Sequence, residues 1–376
     1  MKTFKKILSA LLVCCMLLSL CACHGKDEVA LTIEGEEIRS ALYLNALIDS
    51  DSEAKRRVDD EIAAAKKEET ETEEETDYYS YTFSDGVGFV DYVKTKAIEL
   101  CKEYVLYKKL VDAGTIKLED NEKNTAEYYA QAYWYQQSFA YLYEPNGVSF
   151  DTYKEAFLYS YYSNAYFQHL YGEGGEKEAP KKDIKDNLLE NYTLAHVLTI
   201  TYEENATDAQ KTAQKTKLEG YEKRIKAGET FENIYIEHSG EKAQDHKHEE
   251  TENAPKIPHA IVLTDKDSQT QNATPSADFE TVYDMKVGET KIIESDDKTS
   301  ITLYVKLDLA SDEYYLTQFN DEILYNLKNE EFQKFVTEKT KDYKVEENTF
   351  ATNRFDVEDI DYSVLENAYA SANAAQ

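Results

Sequence analysis

Glycine and proline are scarce in this chain, 13 and 5 among 376 residues. So small a supply of turn formers argues against doubly wound nucleotide-binding folds and large all-β architectures, which need many tight turns. Positive charge is scarce as well: 42 lysines and arginines face 74 aspartates and glutamates, a formal net charge of −32. A surface of that sign excludes a nucleic-acid binder and hints at a partner or milieu rich in cations. The main apolar run, residues 7–20, is too short to form a stable bilayer anchor. Gly-x-x-x-x-Gly-Lys-Ser/Thr, Gly-x-Ser-x-Gly and His-Glu-x-x-His are absent, so nucleotide-driven release, elbow-type hydrolysis and zincin chemistry find no support.

That apolar run follows the basic start Met1-Lys2-Thr3-Phe4-Lys5-Lys6 and closes on Leu20-Cys21-Ala22-Cys23, the pattern of an export signal. The small residue before Cys23 resembles the lipobox of bacterial lipoproteins. That likeness implies cleavage of residues 1–22, a diacylglyceryl group on the Cys23 sulfur and anchoring to the extracytoplasmic face of the cell membrane. Two or more acyl chains hold a protein where one does not, since each buried methylene adds ~0.8 kcal/mol. Removing residues 1–22 strips three lysines and no acids, so −32 becomes −35. Only Cys23 and Cys101 then remain. With the first acylated no internal disulfide can form, and Cys101, on an amphipathic helical pattern, reads as a buried inert thiol.

The remaining length suggests two domains or one with an insertion, helix-rich and unusually supplied with tyrosine, 31 in all. Residues 29–38 alternate around Glu34-Gly35, a short strand entering a helix over about 39–67. The acidic run 68–80 reads as a disordered loop. Val90, Val93, Ala97, Leu100, Cys101, Tyr104, Tyr107, Leu110 and Val111 recur at three and four, predicting a helix over 89–113 stopped by Gly114. Helices are also predicted over 124–143 and 149–171, the second capped by Ser149. Their rings occupy more than one helical face. Helix–helix core is the commoner meaning of such stripes, but Tyr133, Trp134, Tyr162 and Tyr166 are candidates for lining a cleft that holds extended peptide.

A linker over 172–180 leads to a short helix over 182–191 and then the β-rich Thr193-Leu194-Ala195-His196-Val197-Leu198-Thr199-Ile200. Next come Ala227-Gly228-Glu229-Thr230-Phe231 after a helix, Glu237-His238-Ser239, Phe279 to Glu289 with its Gly288-Glu289 turn, and a β-like stretch over 299–307. Taken in order, these pieces resemble the parvulin-type (PpiC-type) peptidyl-prolyl isomerases, specifically the extracytoplasmic foldases of the PrsA and SurA kind. The resemblance covers residues 192–309 and implies an α+β chain. A mainly helical SurA-like N-terminal domain (23–191) is completed by a C-terminal helix (310–350, with a tail over 351–376). Into it is inserted a parvulin-like domain, a four-stranded antiparallel sheet flanked by helices, itself carrying a polar insertion over 240–276.

The same resemblance makes His196 the first catalytic histidine, Phe279, Tyr283 and Met285 the grip on a proline ring, and Asp265 a candidate central acid. The second catalytic histidine is missing, because no histidine follows His259. The implied function is a membrane-anchored foldase that binds unfolded exported polypeptides without a cofactor, with weak isomerisation as a further reading. An active parvulin-type isomerase is one alternative. The other is a metal- or solute-binding lipoprotein using His246, His248, Glu249, Glu250 and His259. The His-x-His spacing could ligate zinc, but a polar insertion gives it no supporting shell, so chance clustering is the stronger reading and no metal is assigned.

Overall fold

The structure, a computed structural model, describes residues 28–65, 76–136, 138–240, 255–268 and 270–374. The export signal, Cys23, most of the acidic run and His246, His248, Glu249 and Glu250 lie outside the described residues. Of the 68–80 run, residues 76–80 are described, and Tyr78–Ser80 forms a single 3-10 turn. Among the described residues no helix is long and apolar enough to cross a membrane. The chain divides into two compact units: one up to Glu176 together with Glu330 onward, the other Lys177–Asn329.

In the first unit, β1 (Val29–Ile33) and β2 (Glu36–Arg39) form a hairpin. Its two loop residues, Glu34 and Gly35, both take positive φ, 52° and 85°, as a type I′ turn requires. Helix α1 (Ser40–Ala65) follows at once. Its apolar stripe, Leu44, Leu47, Ile48, Ala54 and Val58, packs on the stripe of α2 (Phe89–Asp112), with Phe89, Val93, Ala97, Cys101 and Val105 fully buried. Gly114, at φ 70°, turns the chain out of α2. The expected single helix over 124–143 is instead α3 (Asp120–Gln136) and the one-turn α4 (Ala140–Tyr143), and α5 (Phe150–Tyr171) carries the expected cap, Ser149 Oγ accepting from Thr152 N at 3.3 Å. Helix α5 packs on α1, α2 and α3.

The far end of the chain completes this unit. Strand β8 (Val345–Glu347) pairs antiparallel with β1, Leu31 opposite Glu347, giving the order β2-β1-β8. Phe332 sits among Phe167, Tyr166 and Tyr171, with ring centroids 5.4, 6.0 and 6.4 Å away. Residues 351–376 were expected to be a tail; in fact α11 (Thr349–Thr352) buries Ala351, and Val357 and Ile360 join the main core ahead of α12 (Ser363–Ala374). The Tyr362 hydroxyl donates to the Asp51 carboxylate, and Lys55 Nζ lies 3.6 Å from the Tyr362 ring centroid.

The second unit holds α6 (Lys181–Asn191), β3 (Thr193–Thr201), α7 (Asp208–Lys226), α8 (Phe231–Ser239), β4 (Ala260–Asp265), β5 (Thr274–Ser276), α9 (Phe279–Tyr283), β6 (Thr290–Glu294) and β7 (Ser300–Leu307). Four strands, β4-β3-β7-β6, are antiparallel; the three-residue β5 adds a fifth at one edge, parallel to β4. Leu198, Ile301, Leu303 and Val305 pack one face of this sheet on α7 and α8 through Leu218, Tyr221, Phe231 and Ile234. Ala195, Leu263 and Tyr304 pack the other face on Val282 and Met285, in and just after α9. The unit is wider than residues 192–309: it takes in α6 at its start and α10 (Glu313–Thr340) as far as Asn329, where Tyr192 lies 4.6 Å from Phe319.

Phe332→Ala should expose how much the returning segment contributes. Emptying that aromatic nest is expected to cost about 3–5 kcal/mol, read as a lowered urea midpoint of the helical signal. A cost below about 1 kcal/mol would mean the end of α10 is not seated there.

Candidate functional site

Side chains alternate along a strand, so neighbours on β3 serve different faces of the sheet. His196 stands opposite Val305 and Ala260, on the α7–α8 side. Its ring lies flat on Phe231, centroids 4.1 Å apart and planes 2° from parallel, and Nδ1 is 3.4 Å from the His259 carbonyl oxygen. Burial holds its pKa below the ordinary value, with the His259 carbonyl opposing. His259 itself takes positive φ, 56°, and stacks on Tyr235 at 3.9 Å.

Phe279 and Met285 lie on the opposite face, with Ala195, Val197 and Tyr304. The sheet therefore separates His196 from the aromatic it was expected to share a pocket with. Tyr283 is tied down beside them, its hydroxyl donating to Leu189 O at 3.0 Å and its carbonyl accepting from Lys306 Nζ at 3.1 Å. Asp265, at the exposed end of β4, shares the parity of Leu263 and accepts from Asp267 N at 2.9 Å, away from His196. The expected set of His196 with Phe279, Tyr283, Met285 and Asp265 is not brought together, because the parity of β3 turns His196 to the α7–α8 face while α9 packs on the other.

The helical unit offers a different site. Between α1, α2, α3, α4 and α5 lies an open cavity of about 430 Å³, its walls made chiefly by Tyr104, Tyr107, Tyr143, Tyr153, Phe157 and Tyr159. Of the tyrosine-cleft candidates, only Tyr133 lines it. Trp134 is fully buried, 5.1 Å from Tyr153, and Tyr166 is core against Phe332. Tyr162 lies tilted beside Tyr159, ring centroids 6.3 Å apart, and is not among the cavity's lining residues. Outside it, Tyr128, Tyr129, Tyr135 and Tyr141 face solvent, the first and third about 65% exposed (64% and 65%).

Two acids stand in the aromatic wall, Asp49 on α1 and Glu103 on α2. Tyr143 donates its hydroxyl to Asp49 Oδ1, and Asn45 Nδ2 donates to Oδ2 at 2.8 Å. Burial nevertheless outweighs both donors and pushes the Asp49 carboxyl up to about 6. Glu103, with a long 3.5 Å bond from the Tyr107 hydroxyl, is pushed up to about 7, again mainly by burial, with Lys96 pulling the other way. Neither acid was singled out from the sequence. The available signal was position: Asp49 falls four residues after Asn45 and among buried α1 residues, and Glu103 falls between Cys101 and Tyr104 on the packed side of α2.

Both acids bind their proton more tightly folded than unfolded. Their contribution to stability is therefore complete below about pH 4 and is lost as pH rises through about 6 to 7. Thermal melts are expected to show the helical unit less stable at about pH 8 than at about pH 5. Asp49→Asn should raise stability at about pH 8 by on the order of 1–2 kcal/mol, discounted for the cavity's open side, and change little at about pH 4.

No family model matches the chain, and no curated protein does. Among solved structures it is similar to foldase protein PrsA from three bacteria. The Lactococcus lactis structure is 13% identical, with 86% of this chain and 97% of that chain covered and a TM-score of 0.37. For Streptococcus pneumoniae the figures are 13%, 73%, 83% and 0.33. For Bacillus subtilis they are 16%, 71%, 93% and 0.31.

Proposed function

We propose that this protein is a membrane-anchored extracytoplasmic chaperone of the foldase type, tethered through an acylated Cys23, that holds non-native exported polypeptides on its helical unit. The observation that carries this reading is the aromatic surface of that unit: an open, ring-lined cavity with Tyr128, Tyr129, Tyr135 and Tyr141 exposed on the adjoining helices. Tyrosine offers apolar area with a polar tip and two side-chain torsions. Such a surface grips extended chains of varied sequence at low entropic cost. The sheet unit, with helices on both faces, serves in this reading as a second platform. Histidine-based isomerisation is less supported, because His196 is clamped between Phe231 and the His259 carbonyl on the face away from Phe279.

Replacing Tyr128, Tyr129, Tyr135 and Tyr141 together by serine is expected to abolish most of the delay this chain imposes on aggregation of a denatured client, with the thermal midpoint unchanged. An unaltered delay would overturn the reading. His196→Ala is expected to leave the isomerisation trace of a proline peptide as it was. Cys23→Ser should move the chain from the membrane to the soluble fraction.

A further inference from the structure

Resting on the reading that the helical unit holds polypeptides, we infer that its aromatic cavity seats a basic side chain, lysine or arginine, of the bound chain. The argument begins with the polar groups in the wall. Asp49 and Glu103 are carboxyl groups, and Asn45, only 1% exposed, has an Oδ1 with no hydrogen-bond partner among the described residues. The Asn45 oxygen lacks a donor, and the two carboxyls are met within the cavity only by uncharged ones. Among the described residues no lysine, arginine or histidine lines the cavity. The nearest cation acting on Glu103, Lys96, stands outside the lining and is paired with Glu99 at 3.0 Å.

The walls suit the same ligand. Rings present their negative faces to a cation, and the attraction grows as water is excluded. A stacked pair, Tyr104 and Tyr159 with centroids 4.5 Å apart, and the rings of Tyr107, Tyr143 and Tyr153 surround the two acids. A volume of about 430 Å³ lies within the range of sites that enclose a ligand, here a side chain with its flanking backbone. An apolar side chain would fill the space equally well but leave the Asn45 oxygen without a donor and both carboxyls without a countercharge.

Charge on the acids is also what the empty cavity lacks. Around Asp49 stand Asn45 of α1, Tyr104 of α2, Tyr143 of α4 and Tyr153 of α5, none of them cationic. Around Glu103 stand Lys96, Glu99 and Tyr107 of α2 and Glu53 of α1, three acids and phenols for one base. Burial, with little countercharge to oppose it, therefore holds protons on both carboxyls towards the neutral range. An entering cation supplies the missing countercharge and expels those protons, so its binding tightens as pH rises.

The test compares two labelled peptides, identical apolar sequences with a central arginine or a central citrulline, which keeps the shape and loses the charge. Binding to the full chain in detergent is read by fluorescence anisotropy. At about pH 8 the arginine peptide is expected to bind about tenfold more tightly, a margin that falls below about threefold at pH 5. Asp49→Asn with Glu103→Gln should bind both peptides at the citrulline affinity while melting no lower than the parent at about pH 8, which separates lost recognition from lost folding. Equal affinities in the parent would overturn the inference and leave the chaperone reading standing. No binding of either peptide would overturn both.

Discussion

The pairing of β8 on β1 is the constraint on which the helical unit depends. Leu31 to Ile33 meet Val345 to Glu347 across more than 300 residues of sequence. The junction is extended by a further backbone bond, Asn348 N to Ala30 O at 2.9 Å, and by two through side chains, Lys344 N to Glu34 Oε1 at 2.7 Å and Asn348 Nδ2 to Val29 O at 3.0 Å. Bringing such distant segments together is tolerable because closure entropy grows only as the logarithm of loop length, and the intervening stretch contains a unit with its own cores. The ladder brings Val357, Ile360 and Tyr362 to the core they share with α1, where the Tyr362–Asp51 bond then holds them.

Helix α1 explains why a chain so acidic and so rich in tyrosine can pack at all. Its carboxylates take phenolic hydroxyls one after another: Asp49 from Tyr143, Asp51 from Tyr362, Glu53 from Tyr92 at 3.0 Å, Asp59 from Tyr78 at 2.9 Å and Glu61 from Tyr81 at 3.2 Å. A phenol satisfies the acceptor without neutralising the charge. Where the acid is open to water that difference costs little; Glu61, on the surface, sits below its ordinary pKa despite opposing desolvation. Where the acid is enclosed it tells: Asp49 and Glu103 are raised by burial, and so is Asp51, although Lys55 stands 3.0 Å away as its ion-pair partner. The aromatic cavity inherits its chemistry from tyrosine standing where a lysine would otherwise meet Asp49 and Glu103.

Much of the fold was legible from local pattern. The stripe over residues 89–113, the Glu34-Gly35 turn and the Ser149 cap each express a short-range rule, and each stands where the rule places it. The site was less legible for two physical reasons. Motif matching treats Ala195-His196-Val197-Leu198 as one feature, whereas a strand sends alternate members to opposite faces, and only the register with β7 decides which helix each one meets. Composition hid the acids: with 74 carboxylates in the chain, position on the packed side of α1 or α2 is too common a mark to single out Asp49 and Glu103 as the pair that α5 and α4 would enclose. Tyr166 and Trp134 failed as cleft residues for a related cause, since an aromatic stripe does not say which of its rings will be covered by Phe332 or Tyr153.

The net charge and the exposed rings then belong to one design. A surface presenting Tyr128, Tyr129, Tyr135 and Tyr141 invites self-association, and a formal charge of −32 opposes it by repulsion between copies. The same field is not neutral towards partners. It repels acidic segments and draws basic ones, and salt weakens both effects for groups at the surface while sparing the enclosed acids. Steering towards basic stretches and seating of a basic side chain between Asp49 and Glu103 are thus long-range and short-range expressions of a single charge distribution, with the aromatic walls adding affinity that carries no sequence preference of its own.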